Sequence, residues 1–216
     1  MDKKYEMTEE RRVIDGHVLH RIRYISTFRS VRRGTPGGWI EHAGNLCDDA
    51  LATGEAMIYG DARVCGHAQV GGMACVCGQA IVCGTAHVTG QARISGQARI
   101  YGQAHVAGDA HVRGMARVRD KVRVAGCVII DGMADIRGNA IITKQQDFVT
   151  FHNWWADGQH TTWTRSNGRW KTGEFYGTDQ ELLEWAQTEC PEEVPGYEGI
   201  MQYVNQFVKH TKDHEF

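Results

Sequence analysis

The chain is poor in proline, with three in 216 residues against 26 glycines, where average usage gives roughly ten and fifteen. Few prolines leave nearly every backbone N–H free to donate, and many glycines allow frequent turns. Together they suit a long hydrogen-bonded ladder that bends often. An apolar run of the ~20 residues that cross a bilayer is also missing, so no membrane association is expected. The first residues, MDKKYEMTEERR, lack the apolar stretch of a secretory leader. Neither charge sign is in excess: 24 Lys plus Arg against 26 Asp plus Glu give a formal −2, which points to no partner class. G-x-S-x-G, P-loop and H-E-x-x-H patterns are absent. So are a recognition helix and zinc-finger spacing, and sequence-specific DNA reading is not expected. Seven cysteines, an odd number, read as reduced thiols in a cytoplasm.

What is present is a period. From Gly54 to Thr143 the chain divides into fifteen hexads without insertion, among them GDARVC (60–65), GQARIS (90–95) and GMADIR (132–137). Position one is Gly except at Asp120, position three is Ala except at Val122 and Val128, and position five is always Val or Ile. Positions three and five are two apart, so in an extended segment they face the same way. A small residue followed by a β-branched one fills a narrow core. Position one needs a turn that Gly takes cheaply at positive φ, and that Asp also tolerates. Strand and turn every six residues predict a parallel β-helix that closes a triangular coil after three hexads. The weaker hexads PGGWIE, HAGNLC and DDALAT (36–53) keep the phase. Six coils at about 4.8 Å each predict a prism roughly 29 Å tall.

The division expected is an N-terminal strand and cap (1–35), the repeat (36–143) and a C-terminal hairpin with two helices (144–216). HVLHRIRYIS (17–26) reads as a strand entering the helix, and HTTWTRSNGRWKTG (160–173) as a hairpin turning on Asn167-Gly168. Thr178-Asp179-Gln180-Glu181 has the form of a capping box before one helix, and Glu198 to Lys209 reads as a second. Ile129, Met133 and Ile141 are apolar at outward positions of the last coils, which predicts that the C-terminal module folds back over them.

Val64-Cys65-Gly66-His67-Ala68 resembles the motif of hexapeptide-repeat proteins, an aliphatic residue, a turn pair and a small residue four positions on. The resemblance implies a fold that is mainly β, a left-handed parallel β-helix of about six coils, with a small C-terminal α+β cap. It also implies a trimer. Most such proteins are acyltransferases using acetyl- or acyl-CoA, with a histidine as base in a groove between subunits. Here His87 and His105 are eighteen apart and stack on one face, with His111 on the next, so these three are the candidate catalytic residues. The loop that usually completes the cleft is missing between residues 54 and 143. The run LHRIRYISTFRSVRRGTPGGWIE and the FYGTDQEL segment look closer to solenoid proteins of phages and prophages. That likeness implies a non-catalytic binding or scaffold protein without a cofactor, which engages a host protein or a small anionic ligand and counters host defence.

The candidate anion or partner site is a set of arginines. Counted by eighteen, Arg99 and Arg117 stack on one face and Arg119 and Arg137 beside them at its corner, with Arg113, Lys121 and Arg123 flanking and Asp135 in line below Arg117. Cations at ladder spacing repel unless something acidic or anionic lies over them. The cysteine-rich stretch CVCGQAIVCG (75–84) suggests a metal motif, but the register spreads Cys65, Cys75, Cys77 and Cys83 over different sides, and one tetrahedral zinc cannot gather them. Cys65 and Cys83, one coil apart, are the pair expected to meet.

Overall fold

The computed structural model describes residues 4–156 and 158–212. A hairpin of β1 (Tyr5–Ile14) and β2 (His17–Tyr24) leads into β3 (Pro36–Ile40). Sixteen two-residue strands follow, β4 to β19, from Leu51–Ala52 to Ile141–Ile142. They stack in parallel at a register of eighteen residues into three sheets, which are the three faces of the prism. The first face continues through β3 into the antiparallel hairpin, so its sheet has eight strands. The fold is thus mainly β, a left-handed parallel β-helix of about six coils with a small C-terminal cap.

The core follows from the hexad. Every Ala or Val at position three and every Val or Ile at position five from Ala56 to Ile142 is essentially fully buried. Each β-branched side chain so placed contributes about 1.5–3 kcal/mol. The corners follow as well, with position one at φ between 61° and 76° in all fifteen hexads. Asp120 holds φ 61°, and its Oδ2 accepts a hydrogen bond from Gly138 N of the next coil at 2.9 Å. Asp48 repeats the device one end lower, accepting from Gly66 N at 3.0 Å. At these two corners a side chain supplies an acceptor that glycine lacks.

The hairpin is fastened by Glu55. Its carboxylate accepts from Arg21 at 2.6 Å, from Arg12 at 2.9 Å and from Trp39 Nε1 at 3.0 Å. Arg12 and Arg21 also lie over the Trp39 ring, 4.3 and 5.0 Å from its centre. Arg21 and then Trp39 hold the Glu55 carboxyl down at about 2. A depressed carboxyl contributes stability that is complete above its ordinary value, about 4.5, and is lost as pH falls toward about 2. Acid titration followed by Trp39 fluorescence, in a chain whose other tryptophans are phenylalanine, is therefore expected to report hairpin release across that window. Glu55→Gln should remove the transition, and an unchanged titration in that variant would show that another group controls it.

The far end has no next coil to receive its backbone donors. In earlier coils the N–H at position four donates to a position-three carbonyl of the next coil, as from Arg117 to Ala134 at 2.8 Å. In the last coil side chains stand in on all three faces. Gln145 Oε1 accepts from Ile129 N at 3.0 Å, Thr162 Oγ1 from Asp135 N at 3.1 Å, and Ser166 Oγ from Ile141 N at 2.7 Å. These belong to a C-terminal module, an antiparallel sheet of β20 (Phe148–Asn153), β21 (Gln159–Thr164), β22 (Arg169–Thr172) and β23 (Phe175–Gly177) with helices α1 (Asp179–Glu189) and α2 (Val194–Lys212). Its own core gathers Trp163, Trp170, Leu182, Ala186, Tyr197, Ile200 and Val204.

Several sequence expectations hold. The hairpin turns between Thr164 and Arg169, and Thr178 and Glu181 form the capping box. Two differ. The second helix begins at Val194, four residues before Glu198. The module also does not cover Ile129, Met133 and Ile141, which remain 42 %, 45 % and 49 % exposed. It sits on the end of the prism and captures the backbone of that coil, leaving the outward side chains on the flanks.

Candidate functional site: a cationic cleft beside the C-terminal module

The second face of the prism carries Arg63, Ile81, Arg99, Arg117 and Asp135 in register. Strand pairing sets Arg99 beside Arg117 and Arg117 beside Asp135. Arg119 and Arg137 occupy the corner that follows. Both reach back to Asp135: Arg119 binds its two oxygens at 3.2 and 2.7 Å, and Arg137 at 3.3 and 3.2 Å. These side chains are only 15–20 % exposed. Arg119 also lies over the Tyr101 ring, 5.6 Å from its centre. Burial raises the Asp135 carboxyl, opposed first by Arg119.

From the C-terminal module, Lys171 of β22 approaches the same carboxylate. It is buried, donates to Gly173 O, and is lowered by burial, opposed first by Asp135. The space between face and module is a cleft of about 220 Å³ lined by Met115, Arg117, Met133, Asp135, Gly158, Gln159, His160, Lys171 and Gly173. His160 stacks on His152 with ring centres 4.8 Å apart, its Nδ1 is buried without a hydrogen-bond partner, and burial lowers it. Four cations, Arg117, Arg119, Arg137 and Lys171, thus surround one carboxylate, with Arg99 one coil further along the face. Arg117 is exposed, and among the described residues no carboxylate forms an ion pair with it.

The six arginines expected to act together therefore separate. Arg99, Arg117, Arg119 and Arg137 share one side of the prism. Arg113 is on another corner, paired with Asp131 at 3.1 Å. Arg123 lies on the third face, in register between His105 and Ile141. Reading the sequence by columns missed Lys171 and His160, which reach the cleft from the neighbouring strands β22 and β21, a hairpin whose alternation pointed only to packing.

His87 and His105 do stack on the third face, their ring centres 4.8 Å apart and their planes within 8°. Burial, then the neighbouring His105, lowers His87. His111 is on the first face between Arg93 and Ile129, so the three histidines do not form one site. Cys65 carries a thiol that burial and Cys83 push up to about 11. Cys75 and Cys77, expected to be without a partner thiol, interact with one another. Residues two apart both point outward, and counting by eighteen alone overlooks that pairing. Among the described residues no group of three or more His, Cys, Asp or Glu side chains is placed to hold a metal, and no helix is long and apolar enough to cross a membrane.

No protein-family model matches the chain, and no curated protein sequence matches it. What the structure shows is a parallel β-helix of about six turns.

Proposed function

We propose that this chain is a non-catalytic binding protein whose β-helix presents a rigid cationic cleft to a small anionic ligand. The observation that carries this reading is Arg117, an exposed guanidinium that forms no ion pair among the described residues, placed beside buried Lys171 in the cleft. Guanidinium groups bind phosphate and carboxylate through paired, charge-assisted hydrogen bonds. At about 220 Å³ the cleft is smaller than the roughly 300–1,000 Å³ of drug-sized pockets. That suits a compact phosphate or carboxylate compound, or a single acidic side chain of a host protein. A phage setting, interference with host defence, a trimeric assembly and a cytoplasmic location come from the resemblance and from the thiol content.

A second reading, CoA-dependent acyl transfer by His87, His105 or His111 at a groove between subunits, draws on the His87–His105 stack. A histidine held below its ordinary value is neutral near pH 7 and can accept a proton. Calorimetric titration with pyrophosphate and with acetyl-CoA separates the two. Pyrophosphate is expected to bind, with affinity falling tenfold or more in Arg117→Glu at an unchanged melting temperature. Equal binding by that variant would sink the anion-cleft reading. Acetyl-CoA binding that disappears in His105→Ala would favour acyl transfer.

A further inference from the structure

The N-terminal hairpin shelters a second reactive feature, the thiols of Cys75 and Cys77. Cys75 opens the strand Cys75–Val76 and Cys77 stands at the corner after it. Residues two apart in an extended segment leave the same side of the chain, with Cα atoms about 6.6–7 Å apart when fully extended. That separation lies at the upper edge of the range a disulfide spans, so bridging the pair requires the backbone to tighten at the corner. Both thiols are reduced and half-buried, and both pack against Leu19, Trp39 and Tyr59. The Cys75 thiol donates to the Tyr59 hydroxyl at 3.7 Å, and that hydroxyl donates to Asp15 Oδ2 at 3.1 Å.

The two sulfurs are not equivalent. The neighbouring Cys75 thiol and then the Tyr59 hydroxyl hold the Cys77 thiol down at about 6 against its burial, while Cys77 and then burial push Cys75 far above the ordinary thiol range. A thiolate beside a protonated thiol is the pairing that thiol–disulfide exchange needs, one sulfur to attack and the other to resolve.

We propose that Cys75 and Cys77 form a dithiol–disulfide exchange site that takes small-molecule disulfides as oxidants. The Cys77 thiolate attacks one sulfur of the reagent, whose S–S bond breaks; a mixed disulfide forms on Cys77 and one thiolate leaves. Cys75 gives its proton to that departing thiolate and attacks the Cys77 sulfur, which expels the second half of the reagent. Its proton comes from solvent. Two electrons pass from the pair to the reagent, which departs as two thiols. Tyr59 positions Cys75 for the second attack. Cys65 and Cys83, one coil apart, compete poorly, because burial keeps the Cys65 thiol protonated at neutral pH.

The test equilibrates the full chain with oxidised and reduced glutathione at pH 7, quenches with acid, alkylates, and weighs the tryptic peptide spanning 64–93. That peptide also holds Cys65 and Cys83, so the measurement is repeated in Cys65→Ser/Cys83→Ser and, as a second background, Cys65→Ala/Cys83→Ala. Expected is a loss of two hydrogens without bound glutathione in the wild type and in both backgrounds. In either background Cys75→Ser should trap glutathione on Cys77, and Cys77→Ser should abolish the two-hydrogen loss. The proposal is overturned if the loss disappears once Cys65 and Cys83 are replaced, or if Cys75→Ser leaves Cys77 unmodified. Far-UV circular dichroism confirms that each variant keeps its β-helix.

Discussion

Gly90→Ala is expected to lower stability by about 3 kcal/mol, against about 1 kcal/mol for Gly132→Ala. Both glycines sit at position one, with φ of 70° and 62°, and the left-handed backbone alone costs an alanine about 1–2 kcal/mol. Their surroundings differ. A Cβ on Gly90 would stand 2.8 Å from Gly108 N and 2.9 Å from Gly108 O, whereas a Cβ on Gly132 meets nothing within 4 Å. To admit the methyl group at position 90 the next coil must move away, and Gln91 N donates to Gly108 O at 2.8 Å across that gap. In a stack where each coil contacts only its neighbours, such a displacement weakens one interface fully. Urea unfolding followed by far-UV circular dichroism measures both variants. Equal midpoints would mean that the corner glycines serve the turn alone and not the close approach of coils.

The same distinction explains what was legible in the sequence. Period, phase and inward faces could all be read because each follows from one local rule repeated fifteen times. Ala98 and Ile100 are buried for the reason that Ala80 and Val82 are. Arg99 beside Arg117, and His87 beside His105, followed from adding eighteen. Diagonal contacts did not follow. Asp135 was placed under Arg117, yet its hydrogen-bonded partners are Arg119 and Arg137 at the adjoining corner, reached by long side chains that a column count ignores. Strand β1 escaped because its EMTEERRV stretch alternates poorly. The register with β2 is broken between Met7 and Arg11, where the strand bulges. The helix start at Val194 was hidden by Pro195 and Gly196, which read as breakers but are tolerated in a first turn. The replacement of a missing coil by Gln145, Thr162 and Ser166 had no local signature, since any short polar side chain can accept one hydrogen bond.

Asp135→Asn is expected to act in opposite directions on folding and on binding. Asparagine keeps the shape of aspartate and can still accept one bond from Arg119, but it leaves Arg119 and Arg137 without their paired carboxylate in a mostly buried cluster, and Lys171 with only Glu174 as a nearby acid. Removing one partner of a buried ion pair costs about 3–5 kcal/mol. Partial exposure of all three ion-pair members and the retained hydrogen bond reduce this to about 2–3 kcal/mol. Lys171 gives a pH signature. Its folded value is already lowered by burial, so the folded state favours the neutral amine and stability rises with pH through that value toward 10.5. Without Asp135 the lowering deepens, and the deficit of the variant should shrink on going from pH 7 to pH 9. Binding moves the other way. Asp135 is the carboxylate beside Arg117 in the cleft, and it repels any anion that enters. Neutralising it should strengthen pyrophosphate binding about tenfold, or about 1.4 kcal/mol, a Coulomb effect of the size expected for charges several ångströms apart near a surface. The gain should fade as salt is raised from 0.05 to 0.5 M through ordinary screening. A variant that loses stability without binding more tightly would assign Asp135 to the architecture of the face alone. Tighter binding in a less stable protein would show that this one carboxylate limits the affinity of the cleft for anions in order to hold the cluster together.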